Sequence, residues 1–441
     1  MAFAAVSSAF AGGLLTNTNQ NAAFVRNFAL EGKTELTSIY ANPAGGAFLT
    51  NGWHLSLNCQ TAFQERNIET TFPLFQYNYE NPKSTHLFEG QATAPVVPSF
   101  TVSYNKDKWS VSAHFSINGG GGKCEFDNGL GSFEAAYSAV LSQMAPILLP
   151  DGATYQGYTL KSYMKGRSYH FGLQIGGTYK FTDHVAGYIG IRGIYASANY
   201  NGFVNPSIKA TGLGIVPLNN YGIDLNCDQT GLGAAIILGV DYKINDKWNV
   251  SAKYECPTRL NLKNKSEINI ASEEVKTYAA SVLGQFEDGK KVREDIPALL
   301  ALGVQYSPIE KVRIDAAYHQ FFDKVSTKYL DKQDLINHNT HEFLLGAEWD
   351  ICKWLTVSGS WEITRYGLSD EYMNDLSYSL SNNMVGGGFR IHATKRLNID
   401  LGYMCTFYND REVNTQTAAG TKKDIYSRKN HTFGIGVNLD F

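Results

Sequence analysis

The sequence predicts a transmembrane antiparallel β-barrel of about fourteen strands with an N-terminal plug, an all-β architecture suited to a bacterial outer membrane. Three observations point there. Stretches alternating apolar and polar residues recur along the chain, the connections between them are alternately tight and long, and the polar faces carry charges at mid-strand.

Composition narrows the choice first. Mean hydropathy is −0.24, and the longest apolar runs, 296–304 and 234–240, fall far short of the ~18 residues a spanning helix needs. Helical insertion is excluded, whereas a barrel alternates between lipid and lumen and averages to a polar hydropathy. A net charge of −3 with no long basic run speaks against nucleic acid as a partner. The cysteines (Cys59, Cys124, Cys227, Cys256, Cys352, Cys405) are scattered without a C-x-x-C pair, so no metal centre, redox motif or cofactor is expected.

Tight polar turns at 105–108, 181–184, 244–247, 308–311, 350–353 and 393–396 each separate two runs. After the first, Trp109, Val111, Ala113, Phe115 and Ile117 alternate with Ser110, Ser112, His114 and Ser116. After the third, Trp248, Val250, Ala252 and Tyr254 alternate with Asn249, Ser251, Lys253 and Glu255. Successive strand side chains point to opposite faces, so each run has one apolar and one polar face. These hairpins, with a first strand near 53–63 and a last from residue 427, make about fourteen strands.

A soluble sandwich would also alternate. Long polar connections (119–165, 203–229, 257–296, 324–339, 366–380, 410–426) opposite the tight turns match the loop asymmetry of outer-membrane barrels. Aromatics gather beside the tight turns (Tyr104, Trp109, Tyr179, Phe181, Tyr242, Trp248, Tyr306, Trp349, Trp354), where an interfacial girdle belongs. Arg192, Lys253, Asp315, Glu342, Glu348, Arg390 and Asp400 lie mid-strand on polar faces, which a sandwich core would not tolerate and a wet or plugged lumen does. The end of the chain, 431–441, sets Phe433, Ile435, Val437, Leu439 and Phe441 on one face. This has the pattern of a terminal barrel strand, and its final aromatic resembles the signal read by the barrel-assembly machinery.

Three segments follow: a signal-peptide remnant (1–11), a hatch (12–51) and the barrel (52–441). Ala9-Phe10-Ala11 fits the small-residue cleavage rule. In the hatch, Asn19, Gln20 and Asn21 mix with Phe24, Phe28 and Leu30, a composition suited to packing against a polar wall. Phe24, Phe28 and Leu30 are the expected apolar ligand contacts.

Asn42-Pro43-Ala44-Gly45, shortly before the first strand, resembles the NPA motif of the FadL/TodX outer-membrane transporters, in the versions found in Bacteroides-like bacteria. The resemblance covers signal, plug, motif and strands ending in Phe. It implies a hatch-blocked lumen and passive, hatch-gated uptake of long-chain fatty acids or similar hydrophobic small molecules, released sideways into the outer-membrane lipid, with no catalysis. Burial of an alkyl chain at about 0.8 kcal/mol per methylene makes a dry pocket sufficient for affinity. Pro43 fixes its own φ and biases Asn42 toward extended geometry, which makes the pair either a rigid anchor or an ordinary Asn-Pro turn.

The run Asn118-Gly119-Gly120-Gly121-Gly122 is expected to end the third strand; the resemblance implies a kink there that opens a lateral exit, and the alternative is a flexible loop entry. It is no phosphate loop: Ile117 stands where the first glycine is required and Cys124 replaces Ser/Thr. Phe133, Tyr137, Val140, Leu141 and Met144, near helical spacing, predict a helix over 132–149, either a lip over an entrance groove or a loop-packing element. Two other functions fit a barrel. One is a porin for small polar solutes. The other is a lipid hydrolase using a lumen histidine (His114, His170, His319 or His392), although no G-x-S-x-G motif or matched nucleophile accompanies them.

Overall fold

The computed structural model describes residues 19–441; the signal remnant and the first part of the hatch lie outside the described residues. The alternating runs form a closed 14-strand antiparallel wall. Its first seven strands are β1 (Gly52–Thr71), β2 (Thr85–Lys106), β3 (Trp109–Phe126), β4 (Tyr155–Lys180), β5 (Val185–Ala210), β6 (Ile223–Lys243) and β7 (Trp248–Glu255). The other seven are β8 (Leu299–Ile309), β9 (Val312–Phe321), β10 (Ile336–Cys352), β11 (Leu355–Leu368), β12 (Asn382–His392), β13 (Leu397–Tyr408) and β14 (Gly420–Asp440). Sequence neighbours pair, and β1 closes on β14 from His54↔Asp440 to Thr71↔Lys423. Gly52 has φ +128, and a Cβ there would sit 2.2 Å from the Phe441 carbonyl oxygen, so this seam requires glycine.

Side chains confirm the two faces. Ile189, Ile191, Leu238, Val240, Phe343, Leu345, Phe433 and Ile435 are exposed on the outside, with Trp109, Tyr179, Trp248, Trp349 and Trp354 exposed toward the tight turns. An apolar band with an aromatic girdle is what a wall crossing a bilayer presents. The seven mid-strand charges named above are all buried inside.

Several boundaries differ from expectation. β1 reaches Thr71, beyond 63; β14 starts at Gly420, before 427; and much of the long connections is strand, since β3 runs to Phe126, β5 to Ala210 and β6 from Ile223. The reason is an inversion of chemistry without loss of register. Toward the long connections, Ala198, Tyr200, Leu225 and Cys227 are buried inside while Asn201, Asp224, Asn226 and Asp228 are exposed outside. The outer half is therefore polar outside and apolar inside. β7 and β8 break together at Pro257 and Pro297, which cannot donate to a ladder, and pairing resumes through Asn261–Ile270 and Lys291–Arg293.

The hatch fills the inner half of the lumen through a short helix, α1 (Ala22–Arg26), and two 3-10 turns, Leu36–Ser38 and Ala44–Phe48. Its cations meet wall carboxylates. Arg26 Nη1 lies 2.5 Å from Glu348 and its Nε 2.7 Å from Asp400, while Lys33 Nζ lies 2.7 Å from Glu348. Asn27 Nδ2 donates to Asp315 (2.7 Å), and Arg390 on the wall holds Glu35 of the hatch at 2.5 Å. Buried charges persist only when paired in this way.

Two outcomes follow. Ile191→Arg, on the lipid face, lowers stability by about 2–4 kcal/mol in unfolding from lipid vesicles. Glu348→Ala leaves Arg26 and Lys33 short of a counter-charge and costs about 3–5 kcal/mol; trypsin then cleaves the hatch of the folded barrel, where the parent protein resists.

Candidate functional site

The sequence-predicted hatch motif forms one knot between hatch and wall. Asn42 Nδ2 donates to the Lys33 carbonyl (3.0 Å) and to Asp241 on β6 (2.5 Å), and its Oδ1 accepts from Gly45 N–H (3.1 Å). Pro43, at φ −67, starts the following 3-10 turn, and its carbonyl accepts from Thr178 on β4 (3.3 Å). Ala44 packs with Tyr188 and Ile237. A Cβ on Gly45 would stand 2.6 Å from Asn42 Nδ2 and 2.9 Å from the Lys33 oxygen, so the turn has no room for a side chain. Asn42 thereby serves a backbone carbonyl and one oxygen of a buried carboxylate with one amide.

Phe24, Phe28 and Leu30 share a cluster with Leu344, Met384 and Met404, the two phenyl centroids 5.2 Å apart. Phe28 and Leu30 are enclosed in this packing, while Phe24 also faces a cavity of about 40 Å³ together with Tyr40, Phe321 and Leu344. Such a space takes water, not an alkyl chain. On its polar side His319 lies between hatch and wall, Nε2 2.9 Å from Glu31 and Nδ1 2.8 Å from Glu342. The other lumen histidines are hydrogen-bonded or packed in the wall: His114 reaches Thr101 and Ser116, and His392 reaches Thr356 and Asn398.

Above the hatch lies a different interior. Ile68, Phe88, Phe126, Met164, Tyr200 and Leu225 from the strands meet Phe72, Phe75, Leu130, Phe286, Tyr372 and Leu380 from the connections in one apolar cluster. At its lower edge Arg66 and Arg428 stand directly opposite each other in the β1–β14 register. Arg66 lies over the Tyr378 ring (4.6 Å) and Arg428 over Tyr408 (4.9 Å), and the Nε of each is buried without a hydrogen-bond partner. Among the described residues neither forms an ion pair. Two guanidinium groups side by side without a carboxylate repel one another and favour an anion between them. Sequence reasoning passed over this pair, because the facing of β1 and β14 exists only once the barrel closes.

The wall beside the arginines is interrupted. The β2–β3 ladder lapses between Ala92↔Cys124 and Ser99↔Ser116. On β2 this stretch contains Pro95 and Pro98, which lack donors; that sequence signal was available and went unread. On β3 it contains the glycine run, which does not end the strand as expected. Register against β4 shifts between Ile117 and Gly119 and again between Gly119 and Gly122, and pairing then resumes to Phe126. Gly120 and Gly122 have φ +104 and +68, and a Cβ on Gly120 would meet the Ser168 oxygen at 2.3 Å, so glycine lets the strand bulge and continue. Asn118 points inward and donates to the Tyr40 hydroxyl of the hatch (3.2 Å). The hatch and the glycine run thus meet, whereas Phe28 and Leu30 do not reach the outer cluster.

No protein-family model matches this sequence, and no curated protein matches it. Solved structures do match in shape. A Pseudomonas aeruginosa FadL homologue superposes with a TM-score of 0.69 at 15% identity, over 98% of this chain and 100% of that one. The P. putida toluene transporter TodX gives 0.60 at 13% over 93% and 95%, and the Ralstonia pickettii toluene transporter TbuX 0.56 at 12% over 92% and 94%. At these identities the likeness establishes architecture, and the architecture is whole: this chain has the fold of the FadL- and TodX-type barrels.

Proposed function

We propose that the protein is an outer-membrane channel for passive uptake of hydrophobic small molecules, long-chain fatty acids or similar, gated by the hatch and releasing cargo sideways into the bilayer. The observation that carries this reading is the sequence of environments along the lumen. An apolar cluster on the long-connection side leads down to a carboxylate-free arginine pair, and the arginines lie beside a stretch of wall without ladder hydrogen bonds. A porin would need a continuous wet path, and the hatch residues buried against the wall, Arg26, Phe28 and Lys33 among them, favour a closed lumen instead.

The physical roles follow from this order. The apolar cluster gains affinity from each methylene it buries, at about 0.8 kcal/mol. Arg66 and Arg428 would take a carboxylate head through charge-assisted hydrogen bonds, for which a planar guanidinium is well shaped. Passage out requires no broken ladder between β2 and β3, since Pro95, Pro98 and the bulged glycines have already forgone those bonds. Asn42 to Gly45 is the proposed anchor about which the hatch moves, with Phe24 on its moving face. The terminal strand ending at Phe441 is the proposed contact for the assembly machinery, and the apolar band the contact for outer-membrane lipid.

Stapling the wall tests the lateral route. A Cβ on Gly122 would stand 3.8 Å from the Ala94 Cβ, the separation a disulfide spans. Ala94→Cys/Gly122→Cys in a Cys124→Ser background is expected to lose fatty-acid uptake when oxidised and regain it on reduction; equal uptake in both states would discard the lateral exit. Separately, Arg66→Gln/Arg428→Gln is expected to weaken binding of oleate by roughly ten- to a hundredfold, the size of one or two charge-assisted hydrogen bonds, while an uncharged alkane of similar length binds as before.

A further inference from the structure

One titratable contact helps to hold the roof of the outer cluster in place. Helix α2 (Gly131–Leu148) lies across the outer ends of β1, β2, β4 and β5. Ala135, and Leu130 just before the helix, belong to the apolar cluster, while Leu141 packs on Tyr158 and Ile208. In its first turn Glu134 is buried, and both carboxylate oxygens are engaged. Oε1 accepts from Asn78 Nδ2 (2.8 Å) and from the Tyr158 hydroxyl (3.0 Å), and Oε2 lies 2.8 Å from His86 Nδ1. His86, at the outer end of β2 beyond the apolar band, is stacked on Phe75 with centroids 4.7 Å apart, and its Nε2 lies 2.9 Å from the Asn81 carbonyl oxygen.

Both ring nitrogens of His86 therefore face acceptors. A neutral imidazole has one N–H and satisfies one of them; the doubly protonated ring satisfies both and also offsets the buried carboxylate. We propose that His86 and Glu134 form a proton-operated latch that fastens α2 over the outer cluster.

Among the described residues the charged side chain facing His86 is Glu134; Asn81 and Lys83 meet the ring through their backbone, while Asn78 and Tyr158 are neutral partners of Glu134. Burial pulls the His86 pKa down, the hydrogen bond and charge of Glu134 pull it up by more, and it stands above its ordinary value. The sign is then fixed. A raised folded-state pKa means that the latch is fully present below the pKa of a free histidine and is lost as pH rises through the raised value. A second tether is independent of the ring: Asp375 accepts from Ser132 N–H at the start of α2 (2.7 Å) and from the Tyr426 hydroxyl (3.2 Å). The helix is held there while the His86 contact opens, so it swings as a lid and does not detach.

The test is hydrogen exchange across 131–148 in the folded barrel at pH 6 and pH 8.5, corrected for intrinsic exchange. Protection of α2 is expected to fall roughly three- to tenfold between the two, the range that one charged histidine contact supplies. In His86→Gln and in Glu134→Gln, each shown to be folded by its heat-shifted gel mobility, protection should not depend on pH. Asp375→Asn should keep the dependence. Wild-type protection that is level with pH, or a fall that persists in both glutamine variants, overturns the latch. This readout needs no ligand, so it stands apart from the transport reading. Entry of the uncharged probe N-phenyl-1-naphthylamine, faster at pH 8.5 in the parent and pH-independent in His86→Gln, then links the lid to access.

Discussion

A bilayer interior offers no partner for a backbone N–H or C=O, and everything else in this structure is arranged around that constraint. It forces the sheet to close on itself, which brings β1 against β14 and places Arg66 beside Arg428. It also makes any lapse in the ladder a specialised place. The β2–β3 lapse is sustained by residues that have lost donors or gained backbone freedom, Pro95, Pro98, Gly120 and Gly122. The β7–β8 break is covered from within by Thr258 and Ile296, which bridge to each other across it.

Closure creates a lumen, and the chain treats its two halves as different solvents. The inner half is a polar core inside an apolar shell, the reverse of a soluble domain, where Arg26 and Lys33 of the hatch join Arg313 and Arg390 of the wall in neutralising Glu348 and Asp400. The outer half reverts to the soluble pattern, apolar within and polar without. In the proposed function, an apolar solute entering from outside would meet a surface like a protein core, and below it a layer that offers such a solute nothing. Under the proposed uptake, that contrast would stop it at the level of the arginines and of the weakened wall.

Much of the inner half was legible in the sequence because one face of each strand meets lipid. Runs such as Trp109 to Ile117 then alternate in hydropathy, and charges such as Asp400 stand out on the opposite face. The outer extensions read as loops because their outward residues, Asn201 and Asp228 among them, are polar; a window tuned to apolar-out strands misses the same period with its chemistry turned inside out. The hatch motif could be located but its partners could not, since Asp241 lies far along the chain from Asn42. The glycine run was noticed and its effect misjudged: four glycines look like an end, and only the register against β4 shows that the strand resumes. His86 and Glu134 gave no sign at all, for their meeting depends on how a loop helix folds back over the rim.

The seam between β1 and β14 also dictates an order of events. Its partners are separated by nearly the whole chain, so this is the contact of highest sequence separation in the wall and the slowest to find. The hatch precedes β1 and is gripped by residues on strands from β6 to β13, including Asp241, Glu348 and Asp400. Its charges are positioned to gather those strands around it as the wall assembles. In this barrel the plug can serve as a mould on which the wall is cast.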